Sequence, residues 1–337
     1  MTTKKDSTPK RATIYDLAQV AGTSASAVSS VLNGTWKKRR ISAKTAERVT
    51  RIADELGYSV NRQASLLRRE RSHIIGMIVP KYDNRYFGAI AEQFEMMARA
   101  RGQFPVITCT QRDPELELEA ARELIAYQIE ALVVTGATDP DRIADLCRAA
   151  GVRALNLDLP GDKVPSVISD NFGGALALTR LILTRQQADL NRHAPLWFIG
   201  GRPNDHNTHE RLRGFLAAHA ERGLDVPAYM RLMPGYSPTR AHAALMTSGL
   251  DAPAGLFVNS TIALEGVMRW LTERDLIAQT RFGCFDWDPF AALIAQNVGM
   301  VEQDVPAMLS AIFDSLARPP AAGGCLKIPC IMHEFGA

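Results

Sequence analysis

From His73 onward, short apolar runs rich in β-branched residues alternate with longer stretches of helical periodicity, and this alternation restricts the fold more than any other feature. The runs are Ile74–Pro80, Phe104–Thr110, Ala131–Gly136, Arg153–Leu159, Leu196–Gly201, Tyr229–Met233, Gly255–Asn259, Arg281–Asp286 and Val298–Gln303, with a last strand-like piece at Ile328–His333. Helical stretches such as Tyr86–Arg101, Asp205–Arg222 and Thr261–Arg274 fall between them. Strands that are apolar along their length are covered on both faces, and strands separated by helices pair in parallel. So many runs predict two α/β sheets, with the seam after Val167–Asp170.

The segment before His73 has another character. Ile14, Leu17, Ala18 and Ala21 make one apolar helical face, and Gly22-Thr23-Ser24 breaks it, with Ser24 suited to cap a second helix. Val28, Val31 and Leu32 are expected to be buried in that second helix, with Ala25, Ser26, Ser29 and Ser30 facing out. A third helix is expected after Ser42, with Ala46, Val49, Ala53 and Leu56 on one face and Gly57 ending it. This is the layout of a helix-turn-helix, whose second helix enters the major groove of duplex DNA. Between the second and third helices, Asn33 leads into Lys37, Lys38, Arg39 and Arg40, four consecutive cations placed to meet backbone phosphates. Asn61–Arg71 has too little apolar surface to fold alone and is expected to order on DNA.

Charge agrees with this reading. Residues 1–72 hold 15 Lys and Arg against 6 Asp and Glu, a net +9, which leaves −6 for the rest of a +3 chain. A basic head on an acidic body suits phosphate contact by the head alone. The 337 residues suffice for two or three domains of ~100–150 residues. No apolar run spans a bilayer, and Met1–Arg11 is polar and basic, unlike a secretory signal, so a cytoplasmic protein with no membrane association is expected. The five cysteines are scattered and read as free thiols; Cys325 and Cys330 have no further ligands beside them in sequence, and neither metal nor cofactor is expected.

Several motifs resemble one family, the lactose repressor/galactose repressor (LacI/GalR) group of bacterial transcription factors. They are Thr13-Ile-Tyr-Asp-Leu-Ala-Gln-Val-Ala-Gly-Thr-Ser24, Ala27-Val-Ser-Ser-Val-Leu-Asn-Gly34, Ile41-Ser-Ala-Lys-Thr45, Leu56-Gly-Tyr58 and Ile75-Gly-Met-Ile-Val-Pro80. Later signatures are Ser169-Asp-Asn-Phe-Gly-Gly174, Arg211-Leu-Arg-Gly-Phe215 and Gly283-Cys-Phe-Asp286, so the likeness runs nearly full length. The long Trp36–Arg40 turn is similar to the fructose-repressor branch. The resemblance implies a small all-α helix-turn-helix head and an α/β core of the periplasmic-binding-protein-like kind (type I), made of two Rossmann-like parallel-sheet subdomains. The expected division is an arm at 1–12, the head at 13–60, a hinge helix or linker at 61–72, and an effector-binding and dimerisation core at 73–337. Within the core the first subdomain is expected at about 73–169 and 300–318, the second at about 170–299 and 319–337.

The resemblance also implies site residues. Thr13, Tyr15, Ser24, Ala25, Ser26, Ser29, Ser30, Asn33 and the cations from Lys37 to Arg40 are expected at the DNA. Asn61, Ala64, Leu67 and Arg68 join them, with Leu67 where family members wedge a leucine into the minor groove; packing against a neighbouring hinge is the other reading of Leu67. The family's larger base-reading side chains are replaced here by Ala25, Ser26 and Ser30, so the operator sequence does not carry over.

Ligands of open α/β sheets bind beyond the carboxyl ends of the strands. Those ends offer Tyr82, Asp83, Asn84, Tyr86 and Phe87, then Asp158, Asp170, Asn259 and Asp286, with Asp205, His206, Asn207, His209 and Arg211 after Gly201. Aromatic rings with carboxylates, amides and an arginine suit a polyhydroxylated ligand; Tyr86, Phe87, Asp170, Arg211, Asn259 and Asp286 are the narrowed set of expected effector residues, and the resemblance points in particular to Arg211, Asn259 and Asp286. Plainer roles stand beside these: Asp170 and Asp286 as helix caps, Arg211 as an ion-pair partner, His206 and His209 as loop residues, Trp287 as core. The expected function is a DNA-binding repressor controlled by a sugar, polyol or sugar phosphate, acting as a homodimer on a near-palindromic operator. A transporter's solute-binding protein is the alternative. An enzyme is not expected, since GxGxxG after the first strand, GxxxxGK[ST] and GxSxG are all missing.

Overall fold

In the first core strand, β1 (Ile74–Val79), the apolar residues divide between two faces: Ile75, Met77 and Val79 enter one buried cluster and Ile78 another. A strand covered on both sides by helices has this pattern. The computed structural model describes residues 12–58, 72–318 and 324–336. These fall into two compact units divided between Ser72 and His73. The expected arm and hinge, with Asn61, Ala64, Leu67 and Arg68, lie outside the described residues.

The head unit holds α1 (Ile14–Val20), α2 (Ala25–Leu32) and α3 (Ala43–Glu55). Each starts at a hydroxyl cap. Thr13 forms a reciprocal box with Asp16, Ser24 accepts from the Ala27 amide at 3.1 Å, and Ser42 accepts from Thr45 at 3.2 Å. Such caps contribute ~1 kcal/mol each. Gly22 turns the chain at φ +58 between α1 and α2. Leu17, Val28 and Val49 meet at full burial, one from each helix. Two positions differ from expectation. Leu56 is exposed because α3 ends at Glu55, and Ile52 fills the face in its place. Ser30 is buried, with its hydroxyl donating back to the Ser26 carbonyl at 2.9 Å.

The core unit contains two six-stranded sheets. The first has the order β11-β5-β4-β3-β1-β2 and is wholly parallel: β2 Phe104–Cys109, β3 Ala131–Thr135, β4 Arg153–Leu157, β5 Ser166–Ser169 and β11 Cys325–Ile328. One face is covered by α4 (Arg85–Ala100) and α11 (Val305–Ala317), the other by α5 (Pro114–Ala126) and α6 (Pro140–Ala149). The second sheet has the order β12-β10-β9-β8-β6-β7: β6 Trp197–Ile199, β7 Arg231–Leu232, β8 Gly255–Val258, β9 Arg281–Phe285, β10 Asn297–Glu302 and β12 Ile331–Glu334. Only β12 runs antiparallel. Its helices are α7 (Asn171–Leu190), α8 (His206–Ala220), α9 (Pro238–Thr247) and α10 (Thr261–Glu273). Phe198 and Phe257 stack at 5.1 Å in its core, and Phe215 meets both edge-on.

The chain crosses between the sheets three times: after Ser169, after Glu302 and at Pro329-Cys330. The last crossing corrects the expected division. Ile328–His333 is not one strand: Cys325–Ile328 joins the first sheet and Ile331–Glu334 the second, with Pro329, which has no N–H to donate, between them. Residues 324–328 therefore belong with the first subdomain, and Met300–Glu302 with the second. β5, short and ending at the seam, was absent from the expected strands.

Candidate functional site

On the head, Tyr15 stands 74% exposed on α1, and Ala25, Ser26 and Ser29 remain accessible on α2. Asn33, which follows α2, donates to the Ser29 carbonyl at 2.8 Å and lies 3.2 Å from the Ser29 hydroxyl, so these two expected contacts are tied together. Thr13 and Ser24 serve as caps. Ser30 departs from the expected set, since its burial removes it from the surface. Lys37, Lys38, Arg39 and Arg40 are all exposed, with Lys37 over the Trp36 ring at 5.4 Å.

In the core, the carboxyl ends of the two sheets enclose a cleft of about 640 Å³. Helix N-termini open into it, as the strand-end rule requires. Asn84 caps α4, accepting from the amides of Tyr86 and Phe87 at 2.8 and 3.4 Å, and so presents both rings to the cleft. Asp205 caps α8, accepting from the Thr208 amide and hydroxyl and from the Tyr236 hydroxyl at 2.9 Å.

Arg211, from α8, is buried. Its Nε donates to Asn171 at 2.7 Å, its Nη1 to the Asn259 carbonyl at 2.6 Å, and its guanidinium lies 3.7 Å from the Phe285 ring centroid. Asp286 stands 3.8 Å from it and accepts from Gln303 at 2.7 Å. Gln303 in turn accepts from the Ser169 hydroxyl at 2.7 Å. Both Ser169 and Gln303 sit at crossings between the subdomains. From Asn171 the chain of bonds continues: Asn171 donates to Asn207 at 3.1 Å, Asn207 donates to Asp158 at 3.0 Å, and the Tyr86 hydroxyl donates to the same Asp158 oxygen at 3.1 Å. One unbroken network thus joins Tyr86 and Asp158 of the first subdomain to Arg211 and Asp286 of the second.

Of the six expected effector residues, Tyr86, Phe87, Arg211 and Asp286 line the cleft. Asp170 and Asn259 do not. Asp170 caps α7 through the Gly173 amide at 3.0 Å, and Asn259 lies fully buried with its carbonyl on Arg211 and its amide 3.4 Å from the Tyr236 hydroxyl. Asp286 caps no helix; Asp288 accepts from the Phe290 and Ala291 amides just before the 3-10 turn Ala291–Leu293. Trp287 lies 5.4 Å from the His333 ring, and His209 is exposed. The narrowed set missed Asp158 and Asn207, both offered by the strand-end rule, and also Arg112, Arg202, Tyr236 and Gln303. No periodicity or motif marks Arg112, Arg202 or Tyr236, whereas Gln303 ends the expected run Val298–Gln303.

Burial pushes the Asp158 carboxyl up to about 6, despite Arg112 nearby. Burial also raises Asp286, against the pull of Arg211. For Arg211, desolvation is outweighed by Asp286, Tyr236, Asp158 and Asp205, so the guanidinium stays charged. Asp158 carries a stability prediction. Its folded value exceeds the ordinary 3.8, so its favourable contribution is present below pH 3.8 and lost as pH rises through about 6. The melting temperature of the wild type is expected to fall relative to Asp158→Asn over that window, by an amount on the order of 3 kcal/mol in stability. Parallel pH profiles of the two proteins would count against it.

Residues 13–61 match the family model for bacterial regulatory proteins of the LacI family, and residues 72–272 match that for periplasmic binding proteins and the sugar-binding domain of the LacI family. The chain belongs to the LacI family. It is 64% identical to the ribitol operon repressor of Klebsiella aerogenes over 193 residues, 57% of this chain and 72% of that protein. Identity to the fructose operon regulatory protein of Vibrio cholerae is 28% over 277 residues, 81% of this chain and 83% of that protein, so closeness to the fructose branch does not stand out. The fold is similar to that of the lac repressor dimer bound to operator and an anti-inducer, with a TM-score of 0.78 at 23% identity over 96% of this chain and 98% of that one. As a LacI-family member the chain is a sequence-specific DNA-binding repressor with an effector-binding core, not an enzyme. Among the described residues no helix is long and apolar enough to cross a membrane.

Proposed function

We propose that this LacI-family chain represses transcription as a homodimer on a near-palindromic operator, and that a sugar, polyol or sugar phosphate in the cleft between the core subdomains changes its affinity for DNA. The observation that carries the reading is the hydrogen-bond network from Tyr86 through Asp158, Asn207 and Asn171 to Arg211. It offers carboxylate acceptors and a guanidinium donor on two bodies that hinge at three crossings. A ligand that bonds to both bodies favours one relative arrangement of them, which is the requirement for a coupled response. Likeness to the ribitol operon repressor puts pentitols first among candidates.

On the head, Tyr15, Ala25, Ser26 and Ser29 are the proposed base-facing residues, and Lys37–Arg40 the proposed phosphate contacts. The test is selection of binding sites from random duplexes with the full chain, followed by titration of the selected site with ribitol and other polyols and sugars. The expected result is a near-palindrome whose affinity shifts about tenfold with at least one compound. A compound that raises the melting temperature without moving DNA affinity would sink the regulatory reading. Removing Lys38 and Arg39 together (Lys38→Ala, Arg39→Ala) is expected to lower the salt slope of operator binding by about 3.6, because the homodimer loses four phosphate contacts and each removes about 0.9. An unchanged slope would put these cations away from the backbone.

A further inference from the structure

The cleft carries more positive charge at its mouth than a neutral polyol needs. Arg112, which follows β2 in the first subdomain, and Arg202 and Arg240 of the second all line it. Arg112 and Arg202 share one aromatic ring, their guanidinium carbons lying 6.0 and 5.4 Å from the Tyr236 centroid. Among the described residues, none of the three arginines has a carboxylate oxygen within 4.0 Å. Arg202 also keeps a buried Nε with no hydrogen-bond partner.

The acids of the cleft make their hydrogen bonds and close ion pairs with other groups. Asp158 holds Tyr86 and Asn207, Asp205 holds Thr208 and Tyr236, Asp286 holds Gln303 beside Arg211, and Asp83 lies 4.0 Å from Lys81. Glu265 lines the cleft but is exposed. Burial lowers the proton affinity of Arg202, the charge of Arg112 lowers it further, and Asp205 and Tyr236 only partly offset these before Arg240 lowers it again. The like charges therefore repel across the two subdomains.

The aim of Arg112 is costly to maintain. Gln111 and Arg112 both sit at positive φ, +53 and +60, without being glycine. Consecutive residues of this kind store strain and persist where the surroundings hold them. Here the Arg112 side chain donates to the Gly136 carbonyl at 3.2 Å and lies 5.6 Å from the Phe87 ring. The loop keeps in the cleft a cation that, among the described residues, makes no ion pair within 4.0 Å; the nearby charges of Asp158 and Asp205 act on it from farther away. The N-terminus of α9, capped by Ser237, opens at the same place and adds its own partial positive charge.

We infer that the effector is a phosphomonoester of a polyhydroxylated compound, with its phosphate held between Arg112 of one subdomain and Arg202 and Arg240 of the other, and its hydroxyls turned toward Asp158, Arg211 and Asp286. Planar guanidiniums match phosphate oxygens two donors at a time. An anion at this point replaces repulsion between the subdomains by attraction to a shared group, so the ligand charge itself drives closure. The inference rests on the cleft being the effector site.

The test is calorimetric titration of the full chain with matched pairs: ribitol and ribitol 5-phosphate, fructose and fructose 1-phosphate, with ribonate and inorganic phosphate as further arms. In at least one pair the phosphorylated member is expected to bind about tenfold or more tightly than its parent, consistent with charge-assisted bonds. Arg112→Gln and Arg202→Gln, each at a partly accessible position, are expected to bring that ratio toward one. Neutral members binding as tightly as their phosphates in every pair would overturn the inference and leave the cleft reading standing. So would ribonate binding more tightly than ribitol 5-phosphate, or a ratio that survives both substitutions. Inorganic phosphate alone binding as tightly as the best phosphomonoester would also overturn it, by making the polyhydroxylated body irrelevant. No binding by any member of any pair would overturn the cleft reading as well.

Discussion

Replacing Arg211 with alanine is expected to destabilise the core by about 3–5 kcal/mol and to abolish the response of operator binding to effector. Arg211 is 3% exposed and holds together Asn171, the Asn259 carbonyl, the Phe285 face and Asp286. Its removal leaves Asp286 in a largely buried place without its cation, and leaves two polar groups without a donor. Burial already raises the Asp286 carboxyl, so part of the loss is expected to be relieved by protonation, and the defect should shrink at low pH. Urea unfolding of wild type, Arg211→Ala, Asp286→Asn and the double variant would measure this. The double variant is expected to be less destabilised than the two single losses summed, because removing both charges leaves neither buried alone. Strict additivity would show that Arg211 and Asp286 do not act as a pair.

Arg211 was legible in the sequence, and the reason is physical. It lies one turn into a helix that follows a strand end, and a helix start beyond a parallel strand faces the ligand side by geometry. The same rule reached Asp158 and Asp286. It over-reached at Asp170 and Asn259, because position at a strand end does not say whether a side chain points into the cleft or back toward its own helix. Asp170 satisfies the Gly173 amide and Asn259 lies beneath Tyr236. Arg112, Arg202 and Tyr236 come from loops with no periodicity, and only the folded backbone brings them together. The parallel sheets were legible because their strands are apolar throughout. β5 and β11 were not, since both are short edge-side strands; Ser166–Ser169 and Cys325–Ile328 have only four residues each.

Gly214→Ala is the second substitution with a large expected effect. A Cβ at Gly214 would fall 2.3 Å from the Phe172 carbonyl oxygen and 2.9 Å from the Leu176 amide nitrogen, so α7 and α8 touch backbone to backbone there. Neither atom is the end of a flexible side chain, so the helices must separate. Overpacking of this sort costs about 1–3 kcal/mol, and the upper end is expected here. The same crossing sets the 2.7 Å bond between Arg211 and Asn171, one residue before Phe172. Gly214→Ala should therefore weaken effector binding as well as stability, whereas Gly223→Ala, outside any close contact, should show only the modest strain of its φ of +64. Melting temperatures and calorimetric effector affinities of the two variants decide it. Equal effects at both positions would mean that the close helix approach at Gly214 is not what sets the geometry.

The three crossings also have a consequence for how the protein is made. The helix Val305–Ala317, which covers one face of the first sheet, and the strand Cys325–Ile328, which closes its edge against Ser166–Ser169, are synthesised after all of the second subdomain except β12. The first subdomain therefore stays open, with an unpaired edge and an uncovered apolar face, while some 130 later residues emerge at ~5–20 per second. During that interval the second subdomain folds on strands already in hand, apart from β12, and the first waits. Chaperone dependence and aggregation during synthesis are expected to concentrate on β5 and on the face that Val305–Ala317 later covers, and the two halves of the cleft become competent together, once Cys325–Ile328 and Ile331–Glu334 have emerged.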